Sequence, residues 1–283
     1  MKKYIVMTVI SLLFFAGTSF ALNVGGQADV SIPETSFFSR EEAVEETLDS
    51  CESGVSIKAG FDIEFISKKR LNTSSEITNA KIEGQNANLK ISMNYSDVLE
   101  PYVKIGTSDL KVKWEQNGYD IVVDTKPGLV LGGGVKAKLW EFASTGIKLT
   151  MDGQYKDTQL DFDTAEIGGS TSLASSTSET FDIKEWQISL LASKKFIISA
   201  DMRDCYTAIP YMGLTYTDSD VDVSFTQSGS GLVYSTYNAG NKNPMGVVLG
   251  CDIMPSLVSW YLFSFELRLI SETSFTLSGT AKF

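Results

Sequence analysis

The side chains that could do chemistry in this sequence are few in kind. The 283 residues include no histidine. Ser-His-Asp and Cys-His constellations therefore have no general base, and ordinary zinc sites lose their commonest ligand. Asp62 and Glu64 form a carboxylate pair that could in principle exchange protons with a substrate. They occupy alternate positions of one extended segment, beside Lys58, and read more simply as charges on one wall. Cys51, Cys205 and Cys251 make an odd set whose spacing matches no metal motif. The expectation is a protein that is not an enzyme and that uses no cofactor and no metal.

The elements that must position these charges repeat one theme. Val55, Ile57, Ala59, Phe61, Ile63 and Phe65 alternate with Ser56, Lys58, Gly60, Asp62 and Glu64. One face is apolar and the other charged, over the ~9–11 residues of a transmembrane β-strand. The pattern recurs at Leu89–Tyr95, Val103–Gly106, Leu129–Leu139, Ile147–Tyr155, Trp186–Ala192, Met212–Tyr216, Val247–Ile253, Tyr261–Leu269 and Phe275–Phe283. That predicts an all-β, antiparallel transmembrane barrel over residues 54–283, of about 10 strands with 8–12 open. A soluble sandwich would also alternate. What favours the barrel is the alternation of tight links (Tyr95–Pro101, Trp140–Thr145, Met254–Ser259) with long ones (Lys68–Asn86, Asp157–Thr180, Asp218–Asn243). The Ser/Thr/Gly/Ala-rich stretch from Thr164 to Thr180 suits an exposed loop tip.

Composition fits the same class. Hydrophobic residues make up 43% of the chain, yet mean hydropathy is zero, as expected where apolar residues alternate instead of running together. Tyr95, Tyr102, Trp114, Trp140, Tyr155, Trp186, Tyr211, Trp260 and Tyr261 lie near strand ends, where an interfacial girdle would need them. The two halves also match. Pro101-Tyr102 parallels Pro210-Tyr211, Gly128–Gly132 parallels Gly246–Gly250, and Glu185–Phe196 parallels Glu272–Phe283. A duplicated four-strand unit and convergence under one lipid constraint both account for this.

At the N-terminus, Lys2 and Lys3, an apolar run from Tyr4 to Phe15 and Ser19-Phe20-Ala21 predict a signal peptide over residues 1–21. Residues 22–53 would follow as a periplasmic or lumenal segment. Its acidic run of Glu41, Glu42, Glu45, Glu46 and Asp49 reads as a solvated short helix or an unstructured tail. The formal charge of −11 argues against nucleic acid as a partner. Outer-membrane lipid is the partner the alternation implies. The expected location is the bacterial outer membrane.

The terminal strand carries a further expectation. Phe275, Leu277, Gly279, Ala281 and Phe283 place an apolar or small residue at every second position up to a final aromatic, a pattern suited to recognition by barrel assembly machinery. Within Glu266–Phe283 the residues Glu266, Arg268, Leu269, Ile270, Glu272, Lys282 and Phe283 resemble the closing hairpin of the chlamydial major outer membrane protein porins. The opening from Leu22, Cys51 before the first strand and the segment from Gly60 to Leu71 are similar to that family more weakly. The chain is shorter than typical members and lacks their many cysteines. The resemblance implies an oligomeric porin, a trimer by family likeness, that also stiffens the envelope through cysteine links.

Two functions remain open on these grounds. In the first, Lys58, Asp62, Glu64, Lys104, Lys136, Lys138, Lys148, Asp152, Glu266 and Arg268 line a pore for passive diffusion of small hydrophilic solutes or ions. In the second, the same residues pair with one another and fill a narrow barrel. The protein would then be a structural or adhesive element, acting through its loops and through an inter-chain disulfide at Cys51.

Overall fold

The computed structural model describes residues 27–37, 54–73, 77–116, 118–173, 180–199, 205–224, 237–255 and 259–283. The expected signal peptide, the acidic run and Cys51 lie outside the described residues. Fifteen strands are described: β1 (Val55–Asn72), β2 (Ile77–Tyr95), β3 (Leu99–Gln116), β4 (Tyr119–Thr125), β5 (Gly128–Phe142), β6 (Ile147–Leu160), β7 (Phe162–Ile167), β8 (Ser170–Leu173), β9 (Thr180–Lys194), β10 (Phe196–Ser199), β11 (Cys205–Ser224), β12 (Tyr237–Asn241), β13 (Met245–Met254), β14 (Tyr261–Leu269) and β15 (Glu272–Lys282).

Ten of them close a barrel. The antiparallel order β1-β2-β3-β5-β6-β9-β11-β13-β14-β15 returns to β1 through Lys58↔Lys282 to Lys69↔Glu272. Closure leaves no edge of unpaired peptide groups, which hydrocarbon would not tolerate. The expected outward parity holds around the ring. Ile91 and Val103, 59% and 62% exposed, belong to a band of exposed apolar side chains on every barrel strand, and a contiguous apolar surface of that extent marks contact with lipid or another apolar surface. Phe275, Leu277, Gly279 and Ala281 lie on the outer parity of β15, the strand that seals the barrel onto β1.

The tight links lie at the end that also carries the barrel's two chain ends, Val55 and Lys282. A fourth link at this end, between β9 and β11, contains β10 and was not evident from the sequence. At the opposite, loop end the strands outrun the membrane. A strand of 18 residues such as β1, tilted by about 45°, rises about 40 Å, whereas the apolar band of such barrels is about 25 Å tall. The stretch Lys68–Asn86 is accordingly a correction: it is a tall hairpin with a short link over residues 73–76. Its pattern misled because the parity of polarity inverts above the band. Arg70 and Lys81 point outward into water, and Ile66, Leu71, Ile77 and Ile82 point inward.

Those inward residues join Trp114, Ile121, Val123, Phe162 and Phe181 in one buried apolar cluster. The strand β4 pairs with the tall part of β3 and β7 pairs with β4, and β12 bridges β11 to β1. The loop-tip reading of Thr164–Thr180 is corrected in part, since β7 and β8 form a hairpin there and Ala165 is buried in the cluster.

The girdle expectation splits by parity. Tyr95, Trp140, Tyr155 and Trp186 face outward, whereas Tyr102, Trp114 and Tyr211 are buried inside. The last two tyrosines explain the matching halves. Tyr102 on β3 stands opposite Gly134 on β5, and Tyr211 on β11 stands opposite Gly250 on β13. A Cβ on Gly134 would lie 2.5 Å from the Tyr102 hydroxyl, and one on Gly250 would lie 2.6 Å from Cε2 of Tyr211 and closer still to its Cζ. Each ring therefore needs a glycine beneath it. Each ring then lies over the glycine's strand and its hydroxyl reaches the next strand along the wall, Tyr102 to Asp152 on β6 at 2.9 Å and Tyr211 to Glu266 on β14 at 3.0 Å. The structural equivalence is Gly134 with Gly250, two residues away from the match suggested by the sequence.

Candidate functional site

The lumen is where the predicted wall charges other than Lys138 converge, and it is filled in three tiers. At the terminal end the filling is the chain's own N-terminal segment. Gln27, Ala28, Asp29, Val30 and Ile32 are buried inside the barrel, and the backbone leaves past Phe37, whose ring packs 5.0 Å from Trp260 at the rim. Wall side chains bond several of this segment's polar groups. Lys58 Nζ donates to the carbonyls of Val30 (2.7 Å) and Ile32 (2.8 Å). Asn94 donates to Val30 O at 2.9 Å, and Lys136 donates to the Gln27 carbonyl. The Ala28 amide donates to Asp252 at 3.0 Å. Lys148 pairs with Asp29 at 2.8 Å. Two small apolar contacts complete the fit: Ala28 with Leu191, Tyr211 and Val248, and Ile32 with Ile209, Met254 and Leu262.

Asp29 belongs to this plug and not to the wall. Burial pushes its carboxyl up, but the Lys148 ammonium and the Ser31 amide and hydroxyl outweigh burial and hold it below its ordinary value.

The middle tier is a network of wall charges. Glu100 is its hub, accepting from Lys58 (2.8 Å), Lys90 (2.7 Å) and Gln27 (2.9 Å). Asp62 accepts from Asn88 at 2.8 Å and lies 3.7 Å from Lys104, and Glu64 accepts from Asn86 at 2.7 Å. Arg268 donates to Glu266 at 2.8 Å and to Gln187 at 2.5 Å, and lies 3.5 Å from Glu272. Lys69 donates to Glu185 at 2.7 Å. Charges removed from water persist only when paired in this way. The third tier is the apolar cluster at the loop end.

Of the residues expected to line a pore, Lys58, Asp62, Glu64, Lys104, Lys136, Asp152, Glu266 and Arg268 project into the lumen, and they are buried, with Lys58, Lys136 and Asp152 at 0% exposure. A residue lining a water-filled pore would be wet. Lys148 is half-buried against Asp29, and Lys138 is half-buried near the terminal rim, 3.6 Å from Glu141. Two lumenal cavities measure about 20 and 10 Å³, lined in part by Asn86 and Glu185 and by Asn88 and Gln154 respectively. Each has room for about one or two waters. Narrowness is the reason: ten strands enclose little space once Lys, Arg and Tyr side chains and a peptide segment share it.

Glu100 is the lumenal residue that alternation did not single out, because the sequence places it in the tight link before Pro101. Its signal was parity, since Glu100, Tyr102 and Lys104 share one face of β3. Gln27 and Asp29 carried no periodic signal. Cys251 is a free thiol, half-buried on the outer parity of β13.

A closed ring of ten antiparallel strands, an apolar outer band and a polar interior define an outer-membrane β-barrel. No known protein family's sequence profile matches the chain, and no curated protein does. Among solved structures it is similar to the outer membrane protein OprG from Pseudomonas aeruginosa, at 11% identity over 82% of this chain and 96% of that one, with a TM-score of 0.37. It is also similar to the translocator domain of the autotransporter NalP from Neisseria meningitidis (11% identity, 87% and 94% coverage, TM-score 0.34) and to the transport unit of the autotransporter AIDA-I from Escherichia coli (9%, 87% and 94%, 0.36).

Proposed function

We propose that this protein is a non-conducting structural barrel of the outer membrane, which holds a tall, capped surface tier outside the lipid. The observation that carries this reading is the complete burial of Lys58, Lys136 and Asp152 on the lumen wall. Two further barriers support it, because the N-terminal plug and the apolar cluster close the two ends independently. The plug alone cannot act as a simple gate, since its departure would leave the loop end sealed. Osmotic swelling of proteoliposomes holding the refolded full-length chain tests the reading. No uptake of arabinose or glycine above protein-free vesicles is expected, and uptake that falls with solute size would overturn it.

Passive diffusion of small hydrophilic solutes is the second reading. It draws on the charged wall and on the resemblance of Glu266–Phe283 to the chlamydial porins, with membership of that family, trimer formation and an inter-chain link at Cys51 as its further parts. It requires both the plug and the apolar tier to open. Swelling that appears only after residues 22–37 are deleted would favour it.

A further inference from the structure

Above the apolar band, at the loop end of β1–β4, a cavity of about 710 Å³ opens to the exterior between outward charges and the edge of the buried apolar cluster, a size within the ordinary range of small-ligand sites. Its rim carries a row of like charge. Arg70 stands directly opposite Lys81, and Lys81 opposite Lys113. Lys242 adjoins the same row, its amide donating to the Arg70 carbonyl at 3.2 Å. Lys68 sits nearby on β1. Like charges directly across a sheet destabilise it, and this row stands on a chain of net charge −11. Glu83 offsets part of it, pairing with Lys81 at 3.0 Å and Lys113 at 2.5 Å. Lys68, Arg70 and Lys242 have no carboxylate within ion-pair distance among the described residues.

The rest of the cavity lining is chemically different. Glu115, Asp120 and Asn79 line it, over a floor that includes Leu71, Ala80 and Ile121. Cations without a carboxylate partner among the described residues hold an anion, and carboxylates with an amide accept and donate hydrogen bonds to hydroxyls. We propose that this cavity binds a phosphorylated saccharide, with the phosphate against Lys68, Arg70 and Lys242 and the sugar hydroxyls against Glu115, Asp120 and Asn79. The site stands whether or not the lumen conducts. Two sources supply that chemistry: a soluble sugar phosphate, or the phosphorylated sugar headgroup of a glycolipid in the outer leaflet.

The test uses the full-length barrel in nanodiscs with glucose 6-phosphate, glucose and inorganic phosphate as probes, and in parallel nanodiscs of phosphatidylcholine with or without lipid A. Arg70→Gln and Lys242→Gln are compared with Lys126→Gln, an exposed loop-end control outside the cavity. Heat-modifiable gel mobility confirms folding of each variant. Saturable glucose 6-phosphate binding, weakened about tenfold or more by either cavity variant and unchanged in the control, supports the soluble source. Stabilisation by lipid A alone, lost in the same variants, supports the glycolipid source. Inorganic phosphate binding as tightly as glucose 6-phosphate would overturn the saccharide assignment. Binding that none of the variants alters, or no response to any probe, would overturn the site.

Discussion

Replacing Glu100 with glutamine is the sharpest perturbation of the lumen. The side chain keeps its shape and one acceptor oxygen but loses the charge shared by Lys58 and Lys90. Breaking a buried ion pair from one side costs about 3–5 kcal/mol, because the partner remains charged and dry. Here two ammonium groups lose their counter-charge, which argues for the upper part of that range. Lys58 keeps the carbonyls of Val30 and Ile32 at 2.7 and 2.8 Å, which argues for the lower part. A loss of about 4 kcal/mol is expected. Urea unfolding of the barrel in lipid vesicles, followed by tryptophan fluorescence and by heat-modifiable mobility, measures it. Glu100→Gln combined with Lys90→Gln removes one of the stranded charges and should recover at least about 1 kcal/mol of the loss. A single variant within about 0.5 kcal/mol of the parent, the range of ordinary surface changes, would refute the claim that these charges are buried and interdependent.

Gly250→Ala forces a Cβ into the Tyr211 ring and should cost about 1–3 kcal/mol in the same unfolding assay, whereas Gly153→Ala, with open space beside it, should cost little. Tyr102→Phe strands one Asp152 oxygen and should destabilise by about 1–3 kcal/mol, read by the same measurement. The plug should respond to acid with a definite sign. The folded Asp29 carboxyl lies below its ordinary 3.8, so its contribution is fully present above that pH and is lost as pH falls through the folded value. The part of the protease protection of residues 27–37 that depends on Asp29, read as the difference between the parent and Asp29→Asn, should therefore be flat from about pH 8 to 5 and shrink below about pH 4.

The fold was legible because lipid imposes one rule on every strand. All ten barrel strands and their outward parity follow from alternation, from Val55 to the closing strand at Phe275–Ala281. Legibility stopped where the solvent changed. Above the band the rule inverts, so β2 near Lys81 and the β7–β8 hairpin read as loops although they are strands over an apolar core. Side-chain identity also failed to fix parity for aromatics: Tyr102 and Tyr211 look like girdle residues until the facing Gly134 and Gly250 are known. The wall charges were legible as inward residues, but their state was not. Whether Lys136 meets water or the Gln27 carbonyl depends on a segment more than a hundred residues away, and no local pattern encodes that meeting.

Single-channel recording of the full-length protein in a planar bilayer tests the occluded lumen most directly. With insertion verified by heat-modifiable mobility of the recovered protein, the account predicts silence across both polarities at low and high salt. Discrete steps whose size scales with salt, and whose ion preference shifts in Lys136→Glu, would contradict it.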